Sequence, residues 1–294
     1  MRSARRFGIG VMICAGMSVL LGVGRAAEVP TPEPLEIRLD YAAAVVLGRI
    51  TKVEKIESPG AVHQERVTLA VKEMLKGAPA ATIETTGYSH VGYRVGDSGI
   101  WLVDSEGHLV WPHGHLEEGQ KPEVQRIVKM LAERAWSAEV HGVRGWAVAL
   151  SSADLGSREI LFAVQNRTKH DVFLPHPNCR ADILTIAVKS ADGKEFTFPL
   201  KDGTPCPVIH CDKLTAGQTD YLADYHIYGK WSAELPSGKY QVTLAYRNSR
   251  DGVLLTAVGM PDPPVDAWKG ELVTPPFEIV VNRAKGVPKT VVVP

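Results

Sequence analysis

Two short segments carry the residue types best suited to chemistry: His176-Pro-Asn-Cys179 and Cys206-Pro-Val-Ile-His210-Cys211. Thiolates and imidazoles suit soft or borderline metals, so Cys179, Cys206, Cys211, His176 and His210 form a candidate copper or zinc set. The competing reading is a disulfide from Cys179 to Cys206 or Cys211. A Cys206–Cys211 bridge would close only a short loop, which stabilises less than a long one. Trp111-Pro112-His113-Gly114-His115 offers a weaker set. In an extended chain His113 and His115 point to one face and can share an ion, whereas Pro112 and Gly114 equally suit a solvated turn. Gly87-Tyr88-Ser89-His90-Val91 lacks the closing glycine of a nucleophile elbow. Metalloprotease, P-loop and dinucleotide fingerprints do not occur in the sequence. No catalytic residue is assigned, and the chain reads as a non-catalytic protein. Trp101, Trp111 and Trp146 offer a ligand platform or, more ordinarily for tryptophans on alternating strands, core. Tyr221–Trp231 is rich in Tyr and Trp and suits either a strand or an exposed contact for a protein or glycan partner.

The elements around these residues read as mostly β. Ala43–Ile56 is a long strand-like run, and Val67, Leu69 and Val71 alternate with Thr68, Ala70 and Lys72. Ala81–Tyr88 follows as a strand, then a hairpin from Gly99–Asp104 through Ser105-Glu106-Gly107 to His108–Trp111. The period then changes. Val124, Ile127, Val128, Leu131 and Ala135 make one apolar stripe on a helix over Pro122–Trp136, with Pro122 suited to its first turn. The second half returns to strands: Ile160–Val164 is continuously apolar, as for a strand covered on both sides. Leu184–Val188 and Phe196–Leu200 alternate around an Ala191–Lys194 turn. Tyr240–Tyr246 and Phe277–Val281 complete the pattern.

The N-terminus stands apart. Arg2, Arg5 and Arg6 precede an uncharged run from Phe7 to Gly24, and Gly24-Arg25-Ala26 ends it with small residues. This is the pattern of a secretory signal peptide over 1–26, with an uncleaved anchor as the alternative. A Pro-rich leader occupies 27–40. The whole chain balances 33 basic against 33 acidic residues. Removing the four arginines of the leader peptide (33 − 4 = 29) leaves a net charge of −4. That balance argues against a nucleic-acid partner and against an anionic membrane surface. Cleavage also removes Cys14 and leaves three of the four cysteines, an odd number for an oxidising compartment.

Two stretches resemble known families. A-A-A-V-V-L-G-R-I-T-K-V-E (42–54), V-T-L-A-V-K-E-M-L-K-G (67–77) and G-I-W-L-V-D (99–104) resemble the OB-like, TIMP-like β-barrel domain of bacterial exported proteins. F-A-V-Q-N-R-T (162–168), L-T-A-G-Q-T (214–219), L-P-S-G-K-Y-Q-V (235–242) and W-K-G-E-L-V-T-P-P-F-E-I-V-V (268–281) resemble immunoglobulin-like domains of exported bacterial proteins. The resemblance implies an OB-like barrel with a helix over 41–137, an Ig-like sandwich over 138–283 and a tail over 284–294. It implies export to the periplasm, or to the extracellular space or cell envelope, and no reaction. Inhibitors of the TIMP type reach a protease metal with an N-terminal cysteine, and this chain has none between Cys14 and Cys179. The expectation is an exported binding or envelope-associated module without cofactor, no nucleic-acid partner, and no membrane contact once the signal is removed. A copper or zinc protein is the alternative, and an inhibitor of exported proteases rests on fold analogy alone.

Overall fold

The computed structural model describes residues 34–56, 64–110, 114–149, 160–176, 183–199, 210–222, 235–254 and 264–281. The proposed signal peptide, the leader up to residue 33, Trp111, His113, Cys179, Cys206 and the tail lie outside them, as does most of Tyr221–Trp231. The described chain is mostly β, in several antiparallel sheets with two α-helices. Among the described residues no helix is long and apolar enough to cross a membrane.

The first half contains α1 (Leu35–Tyr41), β1 (Ala44–Ile56), β2 (Gln64–Lys76), β3 (Thr82–Tyr88), β4 (Ser98–Val103), β5 (His115–Leu116) and α2 (Lys121–Ala132). Its sheet runs in the order β3-β2-β1-β4-β5. Among the described residues no continuous ladder closes this sheet into a barrel. Single bridges do reach across it: Leu109 pairs with Val103 of β4, and His108 with Thr86 of β3. The Thr86 carbonyl receives the Leu109 N–H at 2.7 Å, and the Thr86 N–H donates to Gly107 at 3.1 Å. Inside the resulting curve lie Ile50, Val67, Leu69, Trp101, Val103 and Leu109. The opposite side of β1 and β4, with Val45, Leu47, Ile100 and Leu102, packs against Leu39 of α1 and Val124, Ile127 and Leu131 of α2. Both faces of these strands are covered. That is why Ala44–Leu47 and Ile100–Val103 carry unbroken apolar runs in place of alternation.

The second half holds β6 (Val143–Ala149), β7 (Ile160–Asn166), β8 (Val172–Pro175), β9 (Leu184–Ser190), β10 (Glu195–Pro199), β11 (His210–Leu214), β12 (Thr219–Tyr221), β13 (Gly238–Asn248), β14 (Gly252–Leu254), β15 (Pro264–Val265), β16 (Gly270–Val273) and β17 (Phe277–Val281). Among the described residues these form three sheets: β12-β7-β6, β15-β14-β11-β8, and β10-β9-β13-β16 with β17 also on β13. The β6–β7 sheet faces the β9–β13 sheet in a sandwich-like pair around Phe162, Val164, Ile186, Val242, Leu244, Tyr246 and Leu272. Asn166, fully buried at the end of β7, donates to the carbonyls of His170 and Leu214 and accepts from Thr168, so this turn is closed by one side chain.

The β12-β7-β6 sheet is the layer that joins the halves. Phe162 and Val164 point into the sandwich core. Leu161 and Ala163 point the other way, with Trp146 and Tyr221, into the core shared with α1, α2, β1 and β4. The continuous run Ile160–Val164 is therefore covered on both sides, as its composition implies. The α2 stripe also forms: Val124, Ile127 and Leu131 are buried, while the helix ends at Ala132, short of Ala135.

Buried charge at α1 has a measurable consequence. Glu36 is buried in the first turn of α1, and that burial raises its carboxyl above the ordinary 4.5, with Arg126 and Arg38 opposing the rise. The native chain thus holds this proton to higher pH than the unfolded chain. Stability falls as pH rises through the window above 4.5. Glu36→Gln should flatten that slope and raise the urea midpoint at pH 7. A lower midpoint at pH 7 with the slope unchanged would contradict this account of Glu36.

Candidate functional site

Of the Cys/His cluster, the described residues include His176, Cys211 and the backbone of His210. β8 and β11 are antiparallel, with Cys211 opposite Pro175. The end of β8, where His176 follows, therefore lies beside the start of β11, where His210 stands. Cys211 is buried, in a small apolar group with Phe173, Val265 and Ala267. Cys179 and Cys206 belong to the undescribed segments leading from and into this end. Among the described residues no three His, Cys, Asp or Glu side chains gather as ion ligands.

His115 has a packing role in the structure. Its ring lies 4.3 Å from the Trp101 ring, and Nε2 is 3.3 Å from the Ser98 carbonyl. Gly99 makes the room: a Cβ there would sit 2.3 Å from His115 Nε2. Trp101 is buried and donates Nε1–H to Gly48 at 3.1 Å. Trp146 is also buried. Both tryptophans serve as core, the plainer of the two readings of their sequence.

The most developed polar cluster joins residues that the sequence scatters. Asp40 lies in the last turn of α1, Arg134 follows α2, and Tyr221 ends β12. Asp40 Oδ2 accepts from Arg134 Nη1 at 2.8 Å and from the Tyr221 hydroxyl. The Asp40 and Arg134 side chains are only 11% and 18% exposed, so this pair is held mostly out of water. Burial pushes the Tyr221 phenol well above its usual range, and the adjacent Asp40 charge adds to the rise. Lys76 Nζ donates to the Leu39 and Asp40 carbonyls at 2.7 and 2.8 Å and so closes the C-terminal end of α1. Burial lowers the Lys76 ammonium below its usual range. The Arg134 guanidinium lies 4.9 Å from the Trp136 ring centre and 5.8 Å from that of Trp146. Arg144 covers the Trp136 ring at 4.6 Å.

Arg134 also borders a cleft. This cavity of about 470 Å³ runs between α2 and the edges of β6 and β17. One wall is Arg126, Lys129, Met130, Glu133 and Arg134; the other is Trp146–Val148 and Pro275–Glu278. A second hollow of about 440 Å³ lies on the outer face of β9, β10 and β13, around Phe196, Gln241 and Thr243. Pro276 borders both. The first cleft has the size and mixed lining of a ligand site, with apolar walls and a few fixed charged groups. Arg126 forks onto Glu123 at 2.8 and 2.9 Å, Lys129 lies 3.9 Å from Glu133, and Glu278 lies 3.4 Å from Lys239. Arg134 differs from these rim pairs, because Asp40 and two indole rings fix it from behind.

Sequence reasoning missed this site because its parts lie 94 and 181 residues apart and follow no motif. The one local signal was Arg134-Ala-Trp136 just past an amphipathic helix, a cation beside an aromatic ring. No protein-family model, no curated protein and no solved structure matches the chain.

Proposed function

We propose that this chain is an exported, non-catalytic binding module built as an OB-like barrel with a helix followed by an immunoglobulin-like sandwich, and that its ligand occupies the cleft between α2 and β6. The observation that carries the reading is the cleft itself, about 470 Å³ with a fixed Arg134 and an apolar floor. The basic, then apolar N-terminus supports export. The bridges from residues 108 and 109 to β3 and β4 support the barrel reading, because they link the two sides of the curved first sheet. At the start of β13, Tyr240 donates its hydroxyl to the Pro236 carbonyl, four residues upstream, at 2.9 Å. A tyrosine hydroxyl bonded to the backbone a few residues upstream resembles the tyrosine corner of Ig-like sandwiches and supports that reading.

Photo-crosslinking from the cleft tests the proposal. Lys129, whose side chain is 73% exposed on the α2 wall, is replaced by benzoylphenylalanine in the producing cells. A discrete adduct is expected after irradiation. Its absence would refute the cleft as the binding site.

A further inference from the structure

One end of the β12-β7-β6 layer carries arginines without a counterion. Arg144 on β6, Gln165 on β7 and Thr219 on β12 stand opposite one another across the sheet. Arg144 Nε–H donates to Gln165 Oε1 at 2.8 Å, and the Gln165 amide donates in turn to Thr219 Oγ1 at 3.1 Å. The half-buried Arg144 guanidinium also lies 4.6 Å from the Trp136 ring centre. One hydrogen bond and one ring thus set its direction, and among the described residues neither terminal nitrogen has a protein acceptor. Arg167 is brought to the same end by two interlocked turns. Its backbone N–H donates to the Gly142 carbonyl at 2.7 Å. A Cβ at Gly142, whose φ is 77°, would sit 2.1 Å from Thr168 Cγ2, so a larger residue would part the turns. The Arg167 side chain is exposed and makes no ion pair among the described residues. The acids nearby are committed elsewhere. Asp40 holds Arg134, Asp171 accepts from Lys213 at 2.7 Å, and Asp220 stands opposite Val164, on the other face of the sheet from Gln165. The Glu139 charge reaches Arg144, but among the described residues no carboxylate lies within ion-pair distance of it. Burial, with the Arg167 and Arg134 charges, pushes the Arg144 guanidinium below its usual range. A guanidinium partly withdrawn from water and unpaired costs free energy that an arriving anion recovers.

We propose that Arg144 and Arg167 form a second binding site, which takes the oxyanion of a small ligand, a carboxylate or a phosphate. The two terminal nitrogens of Arg144 present parallel N–H donors, a fork that matches two oxygens of either group and that a single spherical ion does not use. Gln165 and Trp136 hold that fork before the ligand arrives, which lowers the ordering cost of binding. Arg167 supplies the second charge from the adjoining turn. The site stands apart from the cleft, whose lining includes neither arginine.

The test follows the backbone amide signals of Gly142, residue 144 and residue 167 by NMR in the full chain. Sodium phosphate and sodium acetate are titrated separately, with ionic strength held constant by sodium chloride. A saturable shift is expected with at least one salt; phosphate alone assigns a phosphate-bearing ligand, and acetate alone a carboxylate. Arg144→Lys keeps the charge and loses the fork. Arg167→Gln removes an exposed charge and no side-chain bond of the fold. Each should weaken binding at least about tenfold, the scale of one charge-assisted hydrogen bond. Arg247→Gln, at an exposed arginine paired with Glu271, should leave the affinity unchanged. Unshifted amide signals elsewhere establish that the variants are folded. No saturable shift with either salt, or wild-type affinity in both Arg144→Lys and Arg167→Gln, overturns the site. Crosslinking from position 129 is untouched by either result, so the cleft reading is decided separately.

Discussion

Replacing Asp40 by alanine should destabilise the chain by about 3–5 kcal/mol, the cost of removing one partner of a buried ion pair. The loss has two parts. Arg134 keeps its charge at 18% side-chain exposure with its carboxylate gone, and the buried Tyr221 hydroxyl loses its acceptor. Asp40→Asn keeps the volume and an acceptor for Tyr221, so it should cost less than alanine. Urea unfolding at pH 7 measures both. Equal, small effects below about 1 kcal/mol would show that the pair behaves as an exposed one. The variant also reports on the cleft, because Asp40 fixes Arg134 from behind. At temperatures where Asp40→Asn remains folded, crosslinking from position 129 should weaken.

The second large effect concerns the layer between the halves. Leu161 and Phe162 are neighbours on β7, both fully buried, and they face opposite cores. Leu161→Ala should cost about 2–5 kcal/mol and Phe162→Ala about 3–5 kcal/mol, from lost burial and the cavities left behind. Both substitutions weaken one strand. Each should therefore lower the unfolding midpoint seen in the first half as well as in the second, by fluorescence or segment-resolved hydrogen exchange. A Leu161→Ala effect confined to the second half would mean that the shared core around Trp146, Leu161 and Tyr221 does not couple the halves.

Much of this arrangement was legible residue by residue. The α2 stripe was visible because a helix with one buried face repeats every three to four residues. The unbroken apolar run at Ile160–Val164 announced a strand covered on both sides. Tyr240 was readable as a strand start because a turn, Pro236-Ser237-Gly238, precedes it. The cleft was not legible. Asp40 looked like an ordinary helix-end acid, and Arg134 like a basic residue past a helix. Only the fold brings them to Tyr221. The cysteines were conspicuous for the opposite reason. Their residue type signals chemistry wherever they stand, and of the three bridge or metal candidates only Cys211 falls among the described residues.

The cleft crosslink tests the central claim most directly when position 129 is compared with position 52. Lys52 lies on β1 with a side chain 60% exposed, outside the cleft lining. Benzoylphenylalanine at 129 should give one discrete adduct in the producing cells, and the same residue at 52 should give none. Equal labelling from both positions, or an adduct from 52 alone, would contradict a binding function centred on this cleft.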